Sequence, residues 1–121
     1  MFGRAAEPGN HDYLALVAEA GSGVAGAIAF GDTPMTAGTY DLYWIVTDPD
    51  RRRQGVGALL LGAMEAELRR RGARLIRVET SGTAAYQGTR AFYERHQYRE
   101  TARIPDFYRP GDDLVVFTRE L

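Results

Sequence analysis

The chain has 121 residues, a formal net charge of −1 and an apolar content of 45%, which suits one globular domain. Its balanced charge argues against a whole-molecule attraction to nucleic acid or to an anionic membrane, so neither is predicted as a partner. Cysteine is absent, which excludes disulfides, thiolate metal ligands and a cysteine nucleophile.

Every basic residue is an arginine, and lysine is absent as well. This excludes a Walker-A phosphate loop, a Schiff base and a pyridoxal phosphate enzyme, because each depends on a lysine. The start, Met1-Phe2-Gly3-Arg4, lacks the apolar run of a signal peptide, and no later run is long enough to span a bilayer. A cytoplasmic protein is therefore expected.

The first half of the chain predicts antiparallel strands. Two apolar runs, from Tyr13 to Ala18 and from Val24 to Phe30, flank a glycine-rich turn and predict a β-hairpin. Tyr40 to Thr47 is rich in aromatic and β-branched residues and predicts a third strand, which ends at Asp48-Pro49.

A helix is predicted from Gly55 to Arg71. Its apolar residues recur at helical spacing, and Gly72 is a natural stop after a basic last turn. The predicted apolar face consists of Val56, Leu59, Leu60, Ala63, Met64 and Leu68.

The second half predicts a strand from Leu75 to Thr80, a short helix from Thr89 to His96, and strands from Tyr98 to Ile104 and from Leu114 to Arg119. The segment from Pro105 to Asp113 is predicted to be the loop between the last two strands. The fold class is therefore α/β of the α+β type, a mixed and mostly antiparallel sheet flanked by helices, in one domain over residues 1–121.

The turn between the third strand and the first helix has the features of an anion site. Arg52-Arg53-Gln54-Gly55-Val56-Gly57 places arginines and two glycines directly before a helix N-terminus. Unpaired N–H groups and the helix dipole favour negative charge there, and glycines let an anion approach the backbone. A solvated arginine loop with glycines that only shape a turn is an equally good interpretation of this spacing alone.

Two other phosphate-type interpretations are disfavoured. A dinucleotide fingerprint requires a third small residue where Leu60 stands, and the preceding strands form a meander. The hypothesis of RNA binding is weakly supported, because the clusters Arg51–Arg53 and Arg69–Arg71 lie at opposite ends of one predicted helix.

The motif R-x-x-G-x-G, present as Arg52 to Gly57, resembles the pyrophosphate turn of GNAT acetyltransferases, which also follows a strand and an Asp-Pro turn. A second segment, from Ala91 to Tyr98, is similar to the family's helix that ends in Phe-Tyr-Glu-x-x-Gly-Phe. The resemblance covers the chain from about Tyr13 to the C-terminus.

Three departures from the family pattern stand out. Gln97 and Tyr98 replace a glycine and a phenylalanine, which indicates an altered helix end. Tyr86 stands where many members carry an asparagine that contacts the cofactor. The chain is also expected to begin near the family's second strand, without the first strand and the helix pair that wall the acceptor side.

The resemblance implies acetyl-CoA as co-substrate and a set of binding residues. The pyrophosphate would lie on the N–H groups of the turn, and the pantetheine arm would pair with the main chain of the third strand where it splays from the strand ending at Thr80. The implied cofactor-binding residues are Ile45, Val46, Thr47, Arg52, Arg53, Gln54, Gly55, Val56, Gly57 and Ala58.

The resemblance also implies that Tyr93 is the general acid that protonates the leaving thiolate, while Phe92 is expected to fill the core. A base is needed to provide a neutral amine. Asp41, Tyr43 and Glu79 are candidates, with outward-facing strand polarity favoured for any one of them; the catalytic assignment is Tyr93, Glu79 and Asp41.

Substrate binding is assigned to Tyr43, Asp106 and Tyr108, because aromatic rings beside carboxylates can hold a cationic amine. Turn chemistry explains the segment from Pro105 to Asp113 equally well. His11 and His96 are too far apart to predict a metal site, and surface histidines are expected.

The resulting hypothesis is an N-acetyltransferase that moves an acetyl group from acetyl-CoA to a primary amine of a small molecule or peptide. The alternative is an acyl-CoA-binding module or an inactive partner subunit. The sequence permits a homodimer and does not define the acceptor.

Overall fold

The computed structural model describes residues 2–6, 13–21, 23–51 and 55–121. Seven strands and two α-helices are assigned in this part of the chain, together with two 3₁₀ turns. In chain order they are β1 (Phe2–Ala6), β2 (Leu14–Ala20), β3 (Gly23–Asp32), β4 (Thr39–Thr47), α1 (Val56–Arg70), β5 (Leu75–Ser81), α2 (Gln87–Arg95), β6 (Arg99–Arg109) and β7 (Asp112–Glu120).

The strands form one sheet in the order β1-β2-β3-β4-β5-β7-β6. Each neighbouring pair is antiparallel except β4 and β5, which run parallel because α1 carries the chain from the end of one to the start of the other. The mixed, mostly antiparallel sheet predicted from the sequence is confirmed.

Helix α1 packs its apolar side on β2, β3 and β4. Leu60, Met64 and Leu68 are fully buried, as their spacing predicts. Leu59 is 53% exposed and Leu61 is buried in its place, so the apolar side is rotated from the predicted one. The helix ends before Gly72, as expected.

Helix α2 ends in a turn that the sequence marks as unusual. The Tyr98 N–H donates to the Tyr93 carbonyl over 3.0 Å, and Gln97 takes a positive φ of 75°. A glycine normally takes this left-handed position after a helix. Gln97 therefore keeps the backbone geometry that a glycine would supply and accepts its conformational strain.

Two sequence-based expectations are corrected. Phe2–Ala6 form an edge strand that pairs antiparallel with β2, so the chain does contain a strand before the predicted hairpin.

The second correction concerns the segment predicted as a loop before β7. Strand β6 continues to Arg109, and the turn is confined to Pro110 and Gly111. A register irregularity between Ile104 and Arg109 accommodates the positive φ of Asp106. Ladder bonds on both sides of this bulge extend the strand through residues whose types favour turns.

Candidate functional site

Strands β4 and β5 separate halfway along their length. Their parallel pairing runs from Thr39 and Leu75 to Leu42 and Val78 and then stops, while β5 continues to pair with β7. Beyond Leu42, β4 has no strand partner on its β5 side within the described residues. The splay implied by the family resemblance is present, and it leaves main-chain groups of Ile45–Thr47 accessible to a ligand.

A cleft of about 680 Å³ opens beside this unpaired part of β4. One wall is the first turn of α1, and the other is one side of α2 and the turn before it. The cleft is lined by Ile45, Thr47, Arg51, Gly55, Val56, Gly57, Ala58, Ala85, Gly88, Thr89, Phe92, Tyr93, Arg95 and His96.

The N-terminus of α1 faces this cleft, and no side chain of the described residues caps it. Gly55 precedes the helix with a φ of 72°, and the first helical bond runs from the Leu59 N–H to the Gly55 carbonyl over 3.0 Å. The N–H groups of Val56, Gly57 and Ala58 precede that bond and have no acceptor within the helix. With no acidic residue in the first turn, this terminus suits an anion.

Arg52, Arg53 and Gln54 lie outside the described residues, so their predicted contacts with a pyrophosphate stay predictions. Arg51 is described and lines the cleft, and its Nε lies 3.3 Å from Asp48 Oδ2. The chain therefore places positive charge beside the helix terminus.

Gly57 has a packing role as well as a predicted binding role. A Cβ at this position would lie 3.3 Å from Phe92 Cε1, closer than ordinary van der Waals contact. The glycine therefore lets α2 approach the start of α1, and this contact closes one end of the cleft.

Tyr93 is both a core residue and a cleft residue. Only 3% of its surface is exposed, and its ring lies 5.6 Å from that of Tyr98 and 5.9 Å from that of Phe117. Its hydroxyl makes no hydrogen bond within the described residues, while the residue lines the cleft. Burial raises the pKa of Tyr93 to about 12, so the phenol keeps its proton at neutral pH.

The expectation that Phe92 fills the core is wrong. Phe92 is partly buried and lies over Gly57, while Tyr93 packs in the core. The physical reason is that Phe92 packs against the first turn of α1, where a Cβ on Gly57 would lie 3.3 Å from Phe92 Cε1. Helical spacing predicts the angle between the Phe92 and Tyr93 side chains around the helix axis. It does not predict which of the two side chains faces the core.

Seven cleft residues were not assigned to the site from the sequence: Arg51, Ala85, Gly88, Thr89, Phe92, Arg95 and His96. His96 was expected on the surface, yet it is partly buried with its ring 4.7 Å from Phe92. Counted from Phe92, positions 88, 89, 95 and 96 are three or four residues away, and position 85 is a further three or four residues before 88 and 89. This is the spacing of one helix face. That periodicity, anchored on Phe92, is the signal that could have identified them. His11 lies outside the described residues.

A second cavity, of about 300 Å³, lies at the splay and is lined by Asp41, Leu42, Tyr43, Arg77, Glu79 and Tyr108. The structure thus brings together four predicted site residues from three strands: Asp41, Tyr43, Glu79 and Tyr108. Arg77 was not predicted. Its position on β5, two residues before Glu79 and paired with Asp41 on β4, is visible only in the sheet register.

Arg77 links the two candidate bases unequally. Its Nε donates to Asp41 Oδ1 over 2.7 Å, while its Nη1 lies 3.9 Å from Glu79 Oε2. Hydrogen bonding to Asp41 raises the pKa of Arg77. Asp41 is therefore held in an ion pair, and Glu79, which is more exposed, keeps more of its carboxylate available to a ligand.

Tyr43 and Tyr108 border this cavity, and the pKa of each hydroxyl is raised. Burial, followed by the nearby carboxylate of Asp41, raises the pKa of Tyr43. Burial and then Glu79 raise the pKa of Tyr108 in the same way. Both phenols stay protonated at neutral pH, and the carboxylates give the cavity a negative potential that suits a cation.

Asp106 does not join this group. Its Oδ1 accepts a hydrogen bond from the Gly111 N–H over 2.7 Å, and its own N–H donates to Asp113 Oδ1 over 3.0 Å. The carboxylate therefore stabilises the β6–β7 turn, which is the turn chemistry that the sequence left open.

Tyr86 likewise does not line the large cleft. It is 47% exposed and borders a third cavity of about 580 Å³ with Glu79 and Tyr108.

Among the described residues, no helix is long and apolar enough to cross a membrane, and no cluster of histidine and carboxylate side chains could hold a metal ion.

Comparison with known proteins gives one family. The profile of the acetyltransferase (GNAT) domain matches residues 11–100. No match is found among curated protein sequences.

The structure is similar to that of a GNAT-family protein from Desulfovibrio desulfuricans, with 41% identity and a TM-score of 0.88 over 90% of this chain and 69% of that one. It also resembles an aminoglycoside 6'-N-acetyltransferase complexed with coenzyme A, with 19% identity and a TM-score of 0.78 over 92% and 74% of the two chains. The ribosomal-protein-S18-alanine N-acetyltransferase from Escherichia coli has 22% identity and a TM-score of 0.78 over 92% and 70%. At these lower identities the likeness is one of fold.

Proposed function

The chain belongs to the GNAT acetyltransferase family and is an acetyl-CoA-dependent acyltransferase, and we propose that it acetylates a primary amine of a small molecule or peptide with Tyr93 as general acid. Family membership favours an enzyme over the alternative of an acyl-CoA-binding module or an inactive partner subunit. The observation that carries the proposal is the position of Tyr93: a protonated phenol without a hydrogen-bond partner in the described residues lines the same cleft as a bare helix N-terminus.

The large cleft fits the pyrophosphate and pantetheine of acetyl-CoA. The uncapped first turn of α1 offers the N–H groups of Val56, Gly57 and Ala58 to the phosphates. Arg51 adds positive charge nearby, and Arg52, Arg53 and Gln54 stay the predicted contacts from the segment before the helix. A phosphate bound here would replace the missing cap.

The unpaired edge of β4 supplies the second part of the cofactor site. The main chain of Ile45, Val46 and Thr47 lies beyond the last residue pair with β5. An extended chain that carries amide groups can add to such an edge as a further strand would. This arrangement would lead the thioester end toward the splay, with a backbone N–H near Val46 as the candidate donor to the oxyanion.

In the proposed reaction the neutral amine attacks the thioester carbonyl carbon, a C–N bond forms, the C–S bond breaks, and the attacking nitrogen releases one proton to solvent, from which Tyr93 is later reprotonated. The leaving thiolate takes a proton, which Tyr93 is placed to donate. The pKa of Tyr93, raised to about 12, keeps this proton on the phenol until a basic thiolate forms beside it.

Glu79 is the better candidate for the base that removes a proton from the ammonium form of the acceptor. Asp41 is held by Arg77 at 2.7 Å, whereas Glu79 lies at 3.9 Å from the same guanidinium. Glu79 also borders both cavities on the acceptor side. Action through a bridging water is compatible with this position.

Tyr43 and Tyr108 are the proposed contacts of the acceptor. Their rings border the cavity that contains Glu79, and a cationic amine is attracted both by the carboxylate and by aromatic faces. Asp106 is not retained in this role, because its carboxylate stabilises the turn beside it.

The experiment is CoA release measured with a panel of primary amines for the wild type and Tyr93→Phe. Loss of a general acid lowers kcat by roughly a hundredfold or more, while the affinity for CoA stays within about threefold. Tyr40→Phe is the matched control, because Tyr40 is a partly buried tyrosine at the other end of β4. Equal kcat values for wild type and Tyr93→Phe would remove Tyr93 from this role.

A further inference from the structure

Glu65 is a buried carboxylate that the proposed reaction does not use. It lies in the middle of α1 with 6% of its surface exposed. Burying a carboxylate is costly unless its oxygens are paired and hydrogen-bonded. The contacts of Glu65 show how this cost is met and which parts of the fold it joins.

Two donors from the C-terminal part of the chain meet Glu65 at the same oxygen. The Tyr98 hydroxyl donates to Glu65 Oε2 over 2.8 Å, and Arg119 Nη1 donates to it over 2.9 Å. The Arg119 guanidinium also lies over the Tyr98 ring, 6.0 Å from its centroid. Burial, followed by the charge of Glu65 and the hydrogen bond to it, raises the pKa of Tyr98, so this hydroxyl stays a donor.

The network then reaches the end of α2. Arg119 Nη1 also donates to the His96 carbonyl over 3.1 Å, and the Tyr98 N–H donates to the Tyr93 carbonyl over 3.0 Å. One carboxylate on α1 is thereby connected, through β7 and the start of β6, to the turn of α2 that carries Tyr93. Tyr98 and Tyr93 also pack ring to ring.

Glu65 is far enough from the N-terminus of α1 for an effect on CoA binding to be separated from an effect on the position of α2. Glu65 lies nine residues after Val56, which is about 14 Å along a helix. A substitution at Glu65 therefore leaves the first turn of α1 in place and acts mainly on how α2 is seated. Misplacing a reacting group by about 1 Å is enough to slow a reaction strongly.

We infer that Glu65, through Arg119 and Tyr98, is a positioning residue that holds the Tyr93 hydroxyl in the cleft where the thiolate leaves. The inference rests on the proposed role of Tyr93 as general acid. It differs from a purely structural role because a structural role predicts loss of stability and a positioning role predicts loss of kcat.

The test replaces the whole network by apolar side chains, in the variant Glu65→Met, Tyr98→Phe, Arg119→Met. Apolar replacement of a complete buried ion pair often preserves stability, which removes unfolding as the cause of any kinetic change. We expect Tm within about 5 °C of wild type, CoA affinity within about threefold by calorimetry and kcat lowered about tenfold. Glu65→Gln, which keeps an acceptor oxygen for both donors, should restore most of kcat.

Glu67→Gln is the matched control. Glu67 is 7% exposed on the same helix, and its carboxylate accepts hydrogen bonds from Arg70 and Arg71 at the C-terminal end of that helix. Its kcat should equal that of wild type. A stable triple variant with wild-type kcat would overturn the inference.

The same set of variants in a Tyr93→Phe background separates this inference from the proposed function. If Glu65 acts through Tyr93, the tenfold effect of the triple variant disappears in that background. A loss of the same size in both backgrounds overturns the positioning role. Equal kcat for wild type and Tyr93→Phe overturns the general-acid assignment instead.

Discussion

The large cleft, proposed to hold acetyl-CoA, and the smaller cavity, proposed to hold the acceptor, adjoin the same pair of strands but are built from different parts of the chain. The cleft is formed by one helix terminus and one face of a short helix, so residues 55–58 and 85–96 supply most of it. The acceptor cavity takes single side chains from β4, β5 and β6. Main-chain groups and a buried phenol characterise the first region, and a partly buried ion pair between Arg77 and Asp41 characterises the second. A phosphate site can thus be encoded locally, whereas the acceptor site depends on the sheet.

The largest expected effect is on the pH dependence of the unfolding free energy, and it follows from the difference in burial between Tyr93 and Tyr43. Burial raises the pKa of Tyr93 from 10.0 to about 12, so the fold favours the protonated phenol. The resulting stability is fully present below pH ~10 and is lost as the pH rises through ~12. Tyr93→Phe should therefore reduce the fall in unfolding free energy between these two pH values by about 3 kcal/mol.

Urea unfolding across this pH range measures the effect. Tyr43 is 44% exposed, so Tyr43→Phe should change the pH dependence much less. If both variants changed the pH dependence equally, the contrast between the buried Tyr93 and the half-exposed Tyr43 would be lost.

The next effect concerns the acceptor side alone. Glu79→Gln removes the proposed base, so kcat/KM for the amine should fall about a hundredfold at neutral pH. Affinity for CoA should not change, because Glu79 does not line the large cleft. Initial rates and calorimetry check the two quantities, with Glu100→Gln on β6 as control. A matching loss of CoA affinity would show that the two regions are not independent.

A substitution in the cleft should give the converse result. Gly57→Val places new atoms against Phe92, where even a Cβ would lie at 3.3 Å, and should separate α2 from the start of α1. CoA affinity should fall by roughly thirtyfold, about 2 kcal/mol, the scale of one lost charge-assisted hydrogen bond. Gly62→Ala is the control, since a Cβ there meets nothing within 4 Å. Unchanged CoA affinity in Gly57→Val would contradict the close packing.

The smallest effect is expected at the end of α2. Gln97 holds a φ of 75°, which a glycine adopts without strain. Gln97→Gly should therefore raise the unfolding free energy by up to ~1 kcal/mol with no change in kcat. Urea unfolding and initial rates measure both; a loss of stability would show that the Gln97 side chain contributes more than its backbone costs.

Much of the cleft could be predicted because its sequence signals are short-range. A glycine before an apolar helical repeat indicates the α1 terminus, and Tyr93 lies at the motif spacing within one helix. What could not be predicted was which of Phe92 and Tyr93 faces the core, because that depends on how α2 crosses α1. The terminal strand Phe2–Ala6 was also missed, since its pairing with β2 is a long-range contact of a short and weakly patterned segment.

The amino-acid sequence by itself determined the succession of strands along the chain from β2 onward and the two helices, because hydrophobic period and turn residues act over a few positions. Only the tertiary structure decided that Arg77 binds Asp41 and leaves Glu79 more available. It also decided that Asp106 stabilises a turn and that Glu65 connects α1 to α2. These contacts join residues that are close only after the sheet has set its register and the helices have packed.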